Sequence, residues 1–98
     1  MAKFGPIKRQ HGRVDGLDDL LDDIMKRCPH ITRIVPGRMG RKKGNTPAKL
    51  KIQYPTMQGD KATGYKCMFT RSGSWQEVFL VCSDAAAAKK WLEDQGIV

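Results

Sequence analysis

Positively charged side chains are the groups of this sequence best suited to chemistry, because most of them lie in one segment. Between Arg33 and Arg71 there are ten lysines and arginines against a single acid, Asp60, and the whole chain carries a net charge of +8. Lysine and arginine form charge-assisted hydrogen bonds with phosphate oxygens, and a local excess of positive charge concentrates anionic partners. The segment therefore predicts a polyanion-binding site, with nucleic acid as the expected ligand.

The bases expected to contact phosphates lie in a glycine-containing segment and on strand faces. Residues 37–47 hold three glycines among four bases and show no apolar pattern, which predicts a basic loop. The glycines match neither a dinucleotide-binding fingerprint nor a P-loop, so we expect sequence-tolerant binding of RNA or DNA. The alternative is a solvated loop that only maintains solubility. The predicted binding residues are Arg38, Arg41, Lys42, Lys43, Lys49 and Lys51, with Lys66 and Arg71 assisting.

Aromatic side chains next to these bases would favour a single-stranded ligand, because unpaired bases stack on exposed rings. Tyr54 and Tyr65 share the parity of the apolar residues in their strands, which favours core positions. Trp75 follows a turn and could lie in either environment. Glu77 stands among the apolar residues of a strand, and we expect it to pair with Arg33 or Arg38.

Metal binding and catalysis have less support in the residue pattern. His11, Cys28 and His30 carry suitable ligand atoms, but a zinc site needs about four converging ligands and Cys28-x-His30 is not a common spacing. A nucleophilic cysteine needs a base within reach and an electropositive, partly exposed setting, and only Cys28, close to His30 and Arg27, qualifies. Packing at a helix end explains Cys28 more simply. We therefore expect no catalytic residue, no enzyme activity and no cofactor, with a divalent metal as the alternative.

Two amphipathic helices are predicted near the ends of the chain. The first has an apolar stripe formed by Leu17, Leu20, Leu21, Ile24 and Met25, and we expect Asp15 to cap it and Pro29 to prevent its continuation. The second is predicted to begin at Asp84 with Ser83 as its cap, and Gly96 fits its end.

Four strands are predicted between the helices. They cover residues 31–35, residues 48–54, a segment from Tyr65 to Thr70, and residues 75–82. Pro36-Gly37 is expected to end the first strand, and residues 55–63 are expected to link the second to the third. The third alternates Tyr65, Cys67 and Phe69 with polar residues, and the fourth is apolar on both faces, as a central strand would be.

These elements predict an α+β domain with the order α-β-β-β-β-α. Amphipathic helices need a common apolar surface, so we place both on one face of a four-stranded antiparallel sheet. The opposite face would then present Lys49, Lys51, Lys66 and Thr70 beside the basic loop. Residues 1–13 are expected to form a basic arm, and residues 14–98 a single domain.

Cysteine use and hydropathy bear on the compartment. The three cysteines form no CxxC pair, which predicts reduced thiols. No run approaches the roughly 20 apolar residues that cross a bilayer, and the start lacks an apolar signal region. We therefore expect a cytoplasmic protein without membrane contact, and the sequence leaves its oligomeric state open.

Several segments resemble an uncharacterised prokaryotic family of predicted metal-binding proteins whose function is unknown. The resemblance rests on His11-Gly12-Arg13-Val14-Asp15-Gly16-Leu17, on Ile34 to Arg41, on Tyr54-Pro55-Thr56 and on Gly64 to Val81, with the Gln76-Glu77-Val78-Phe79 run as the most distinctive part. It implies a metal site, although this chain has His11-Gly12 where the family pattern has His-Ser. Extra residues also stand around Met57 to Ala62.

A protein partner is a further alternative to nucleic acid. The first helix is rich in aspartate and the predicted sheet face is basic, so each could dock an oppositely charged surface. On that interpretation the chain would act as an adaptor or as an inhibitor of a larger assembly.

Overall fold

The fold consists of a four-stranded sheet, with one helix before the first strand and one after the last strand in the chain. The computed structural model describes residues 14–41 and 44–98. In chain order the elements are α1 (Leu17–Arg27), β1 (Ile31–Arg41), β2 (Lys49–Gln58), β3 (Lys61–Arg71), β4 (Ser74–Cys82) and α2 (Ala85–Asp94). The strands pair antiparallel in the spatial order β1-β4-β3-β2. The predicted α+β class and element order are confirmed, whereas the predicted arm, residues 1–13, lies outside the described residues.

Both helices pack on one face of the sheet and share one core. Leu17 and Ile24 of α1, Leu92 of α2 and Leu80 of β4 are all buried in the same apolar cluster. The Tyr65 hydroxyl donates to the carbonyl of Ala85 at 2.8 Å, which ties β3 to the first turn of α2. Burial of this shared apolar surface is the main favourable term holding the layers together.

The apolar stripe of α1 is narrower than predicted. Leu17, Leu21 and Ile24 are buried, but Met25 is 43% exposed and lies outside the core. The predicted cap is wrong as well: the N-cap residue is Gly16 in the left-handed region, with φ of 88°, and no side chain of the described residues caps the helix. Asp15 instead pairs with Arg71, its Oδ2 lying 3.5 Å from the arginine Nη1.

The two edge strands are longer than the sequence predicts, and β3 begins earlier, at Lys61. β1 continues through Pro36-Gly37 to Arg41, so residues 37–41 of the predicted basic loop are strand. β2 likewise continues through Pro55 to Gln58, and a tight turn at Gly59-Asp60 replaces the predicted link of residues 55–63. Both strands are edges of the sheet, where a proline, which lacks an N–H, can be accommodated because one side of the strand has no ladder partner.

The cap of α2 is also one residue later than predicted. Asp84 is the N-cap residue, and its carboxylate accepts a hydrogen bond from the Ala87 backbone N–H at 3.1 Å. The Ser83 hydroxyl instead donates to the carbonyl of His30 at 3.3 Å. The inward face of α2 is formed by Ala85, Ala88 and Leu92, which are all buried.

Membrane crossing by a helix has no support in the described part of the chain. Neither α1 nor α2 combines the length and apolar composition that a membrane-spanning helix requires.

Candidate nucleic-acid interface

The sheet face opposite the helices, here called the open face, carries its side chains in rows across the strands. Lys49, Thr70, Trp75 and Gly40 are cross-strand partners in one row. Lys51, Met68 and Glu77 form the next row, and Tyr54, Lys66, Phe79 and Val35 form a third. Because side chains in a row stand next to each other on the same face, charge and aromatic surface converge here from β2, β3 and β4.

A shallow groove of about 440 Å³ crosses one end of the open face. Its lining residues come from β2, β3 and β4: Lys49, Lys51, Gln53, Met68, Thr70 and Trp75. Lys49 and Lys51 are exposed, and neither forms an ion pair with another described residue. Two ammonium groups are thus available to an anion, as predicted from the alternation along β2, with an indole ring nearby.

The Trp75 ring is held against the backbone of β1. A Cβ added to Gly40 would lie 2.7 Å from the Cε2 atom and 3.0 Å from the Nε1 atom of the indole, closer than such contacts occur. The ring therefore occupies space that only a glycine at position 40 leaves free. Trp75 is half-buried and also lines the groove, so the indole is both fixed in place and partly accessible.

Tyr54 lies on the open face and not in the core, so the prediction from its parity is wrong. An irregularity in the pairing occurs between Ile52, which pairs with Cys67, and Tyr54, which pairs with Lys66. Such a bulge moves the following residues to the opposite face. Tyr54 is 53% exposed, and the Lys66 Nζ lies 5.5 Å from its ring centroid. Tyr65 is buried, as predicted.

Glu77 forms ion pairs with two of the predicted phosphate-binding residues. Its side chain is 8% exposed, with Oε2 3.2 Å from the Lys66 Nζ and Oε1 3.4 Å from the Arg38 Nε. The Arg38 backbone N–H also donates to Oε1 at 3.1 Å. The hydrogen bond from the Arg38 side chain, aided by Lys66, outweighs burial and lowers the Glu77 pKa to about 2. The expected partner Arg38 is confirmed, and Lys66 is an additional one.

The remaining predicted cations do not gather on the open face within the described residues. Arg71 shares the parity of Phe69 in β3 and lies on the helix side, where its Nη1 donates to the carbonyl of Asp15 at 3.2 Å. Arg41 pairs with Ser74, which puts it on the same side by alternation. Lys42 and Lys43 lie outside the described residues. The alternation of β3 already puts Arg71 on the same side as Phe69. That side is the helix side, which does not agree with the predicted role of Arg71 in assisting the phosphate-binding residues.

Gln76 is a structural residue that the sequence analysis did not identify. It is 1% exposed on the helix side of β4, and its Oε1 accepts a hydrogen bond from the Val14 backbone N–H at 3.1 Å. Its Nε2 faces the carbonyl of Gly37 at 3.5 Å. The sequence does contain a signal for this role, because Gln76 stands at a core-facing position of its strand. A buried polar side chain needs hydrogen-bond partners, so an amide there indicates a structural hydrogen bond.

The described residues do not fit a metal centre. No three histidine, cysteine or acidic side chains converge within residues 14–41 and 44–98. Cys28 is buried, while His30 is only partly so, and His11 lies outside the described residues. Burial raises the pKa of Cys67 to about 12 and that of Cys82 to about 11.

Comparison with known proteins identifies a family. A family model described as "predicted metal-binding protein (DUF2103)" matches residues 5–96, a range that includes both helices and all four strands. No curated protein and no solved structure matches the chain.

Proposed function

The chain belongs to the family of predicted metal-binding proteins DUF2103, and within that family we propose that its open face binds nucleic acid without catalysing a reaction. One observation carries the proposal: Lys49 and Lys51, both without ion pairs to described residues, meet Trp75 in one groove. Ammonium groups contact phosphates, and an indole offers a stacking surface for a base. The open face supplies both on a rigid sheet.

The charge distribution of the fold supports this use of the open face. The aspartate-rich helix α1 packs on the opposite side of the sheet, so its carboxylates do not lie across Lys49 and Lys51. Glu77 is the acid within the open face, and it is already engaged by Arg38 and Lys66. The groove end of the face therefore keeps its positive charge, which attracts a polyanion before contact.

Sequence-tolerant binding is expected from the chemistry of the groove. Lysine is a flexible point charge that contacts phosphates of any sequence, and every base has a face that can stack on an aromatic ring. Gln53 is the one lining residue with a forked donor and acceptor arrangement. A single amide gives little discrimination, so we propose binding to both RNA and DNA.

The test is the salt dependence of binding by a charge-matched pair of variants. Lys49→Ala with Lys51→Ala removes both groove lysines, and Lys26→Ala with Lys90→Ala removes two exposed lysines, one of α1 and one of α2, while leaving the same net charge. For a single-stranded oligonucleotide, each lost phosphate contact reduces the slope of log K against log salt by about 0.7, so the groove variant should be about 1.4 shallower than wild type.

The helix variant should retain the wild-type slope. Equal slopes and affinities for wild type and the groove variant, with both proteins folded by circular dichroism, would contradict the proposal. Equal losses in the two variants would also contradict it, because they would indicate a response to net charge and not to a site.

Metal binding is the second candidate function, and the family description is the observation that favours it. Because no ligand group converges in the described residues, such a site would need ligands outside them, and His11 is the candidate from the sequence. Protein purified without chelator would then carry stoichiometric zinc or manganese by elemental analysis. His11→Ala should remove that metal, and metal-free wild-type protein would exclude this candidate.

A further inference from the structure

The indole of Trp75 and the amine of Lys49 belong to one row that crosses the sheet. Trp75 pairs with Thr70, and Thr70 pairs with Lys49, so the tryptophan and the lysine are two strand spacings apart. Neighbouring strands lie about 4.8 Å apart, which puts the two backbone positions roughly 10 Å from each other. If the Lys49 side chain extends across Thr70 toward Trp75, its ammonium group comes close enough to the indole for one nucleotide to contact both, the base on the ring and the phosphate on the lysine.

Charge and aromatic surface lie on opposite sides of the groove. Lys51 lies two residues beyond Lys49 on the same face of β2, roughly 6.7 Å further along the strand. The indole is at the other side of the groove, against Gly40 of the edge strand β1. Phosphates and base therefore have separate positions: charge on the β2 side and aromatic surface on the β4 side.

We propose that the ligand of the open face is single-stranded, with an unpaired base stacked on Trp75 and the adjoining phosphates on Lys49 and Lys51. This inference rests on the proposed function and specifies its substrate class. In a duplex the base faces are covered by neighbouring base pairs, so they cannot reach an indole fixed on a sheet. A single strand exposes those faces and follows the groove with its backbone.

Gly40 is the positioning residue for this interaction. Replacing it by alanine adds one methyl group, removes no charge and leaves Trp75 in the chain, but the new Cβ would clash with the indole. The ring must then leave its position against β1. Gly40→Ala should therefore weaken single-strand binding while the salt slope remains that of wild type, a combination that loss of a phosphate contact does not produce.

Removal of the ring gives the expected size of the effect. Stacking of one base on an aromatic side chain corresponds to roughly a 5- to 150-fold change in affinity. Trp75→Leu should weaken binding of a ten-nucleotide single strand within that range, and Trp75→Phe, which keeps a ring, should recover part of the loss. Trp91→Leu is the matched control, because Trp91 packs on the helix side near Arg27.

The experiment compares a single-stranded RNA, a single-stranded DNA and a duplex of equal length by fluorescence anisotropy. The chain has two tryptophans, so a Trp91→Phe protein reports on Trp75 alone. Single strands should quench this fluorescence and bind at least fivefold more tightly than the duplex. The two single-strand arms identify whether RNA or DNA is preferred.

Failure of this inference is distinguishable from failure of the proposed function. Equal binding of duplex and single strands, or wild-type affinity in Trp75→Leu and Gly40→Ala, would overturn the single-strand assignment while the lysine variants still reduce binding. If none of the three probes binds at low salt, both the proposed function and the single-strand assignment are overturned.

Discussion

Replacement of Gln76 by leucine is expected to loosen the start of the described chain from the sheet. The side chain is 1% exposed, and leucine has a similar volume, so the substitution changes hydrogen bonding more than packing. The Val14 N–H, which donates to the Gln76 Oε1 at 3.1 Å, would lose its acceptor in a buried environment. An unsatisfied buried donor costs about 1–3 kcal/mol.

Two smaller effects adjust this magnitude. The contact between the Gln76 Nε2 and the Gly37 carbonyl is 3.5 Å long, at the limit of a hydrogen bond, and adds little. Burial of an apolar side chain in place of an amide offsets part of the loss. We therefore expect the free energy of unfolding to fall by about 1–2 kcal/mol, which lowers the Tm by roughly 5–15 °C in a domain of this size.

Urea denaturation followed by circular dichroism measures the loss, and hydrogen exchange locates it. The Val14 amide proton should exchange faster in Gln76→Leu, while amide protons in the centre of β3 should change only as much as global stability does. Gln58→Leu, at the exposed end of β2, is the control for an added leucine. Unchanged stability together with unchanged protection of Val14 would refute the assigned role of Gln76.

Two further predictions concern buried polar groups. The Glu77 pKa is lowered from an ordinary value of 4.5 to about 2, so the stability this carboxylate contributes is complete above about pH 4.5 and is lost as the pH falls toward 2. Glu77→Gln should lack that part of the pH dependence in denaturation curves, and identical pH profiles for the two proteins would contradict the ion pairs. Tyr65→Phe removes the 2.8 Å hydrogen bond to the Ala85 carbonyl and should cost about 1 kcal/mol in thermal denaturation. Equal stability of the two proteins would show that this bond contributes nothing.

The fold follows from local patterns in the sequence to a large extent. The repeat of Leu17, Leu21 and Ile24 at helical spacing and the alternation around Leu50 indicate elements that the structure contains. The predicted ends of β1 and β2 are wrong because proline and glycine commonly end a strand but do not end these two. Pro36 and Pro55 are compatible with strands only because both strands are edges, and the spatial order of strands is a tertiary property.

The candidate site was only partly predictable for the same kind of reason. Alternation along β2 correctly puts Lys49 and Lys51 on the solvent face of the sheet, since strand parity is a local property. Tyr54 reaches the open face through a bulge that no residue pattern indicates. Glu77 pairs with Arg38 and Lys66 because β1 and β3 flank β4. Which positive charges of the open face remain without an ion pair can therefore be known only from the order and pairing of the strands.

The role of the open face is tested most directly by nuclear magnetic resonance titration of the isotope-labelled protein with a single-stranded oligonucleotide. We predict that the amide signals of Lys49, Lys51 and Thr70 and the indole N–H of Trp75 shift together and saturably. Signals of α2, such as that of Ala88, should stay in place. Shifts confined to α1 and α2, with the groove residues unchanged, would contradict nucleic-acid binding by this face.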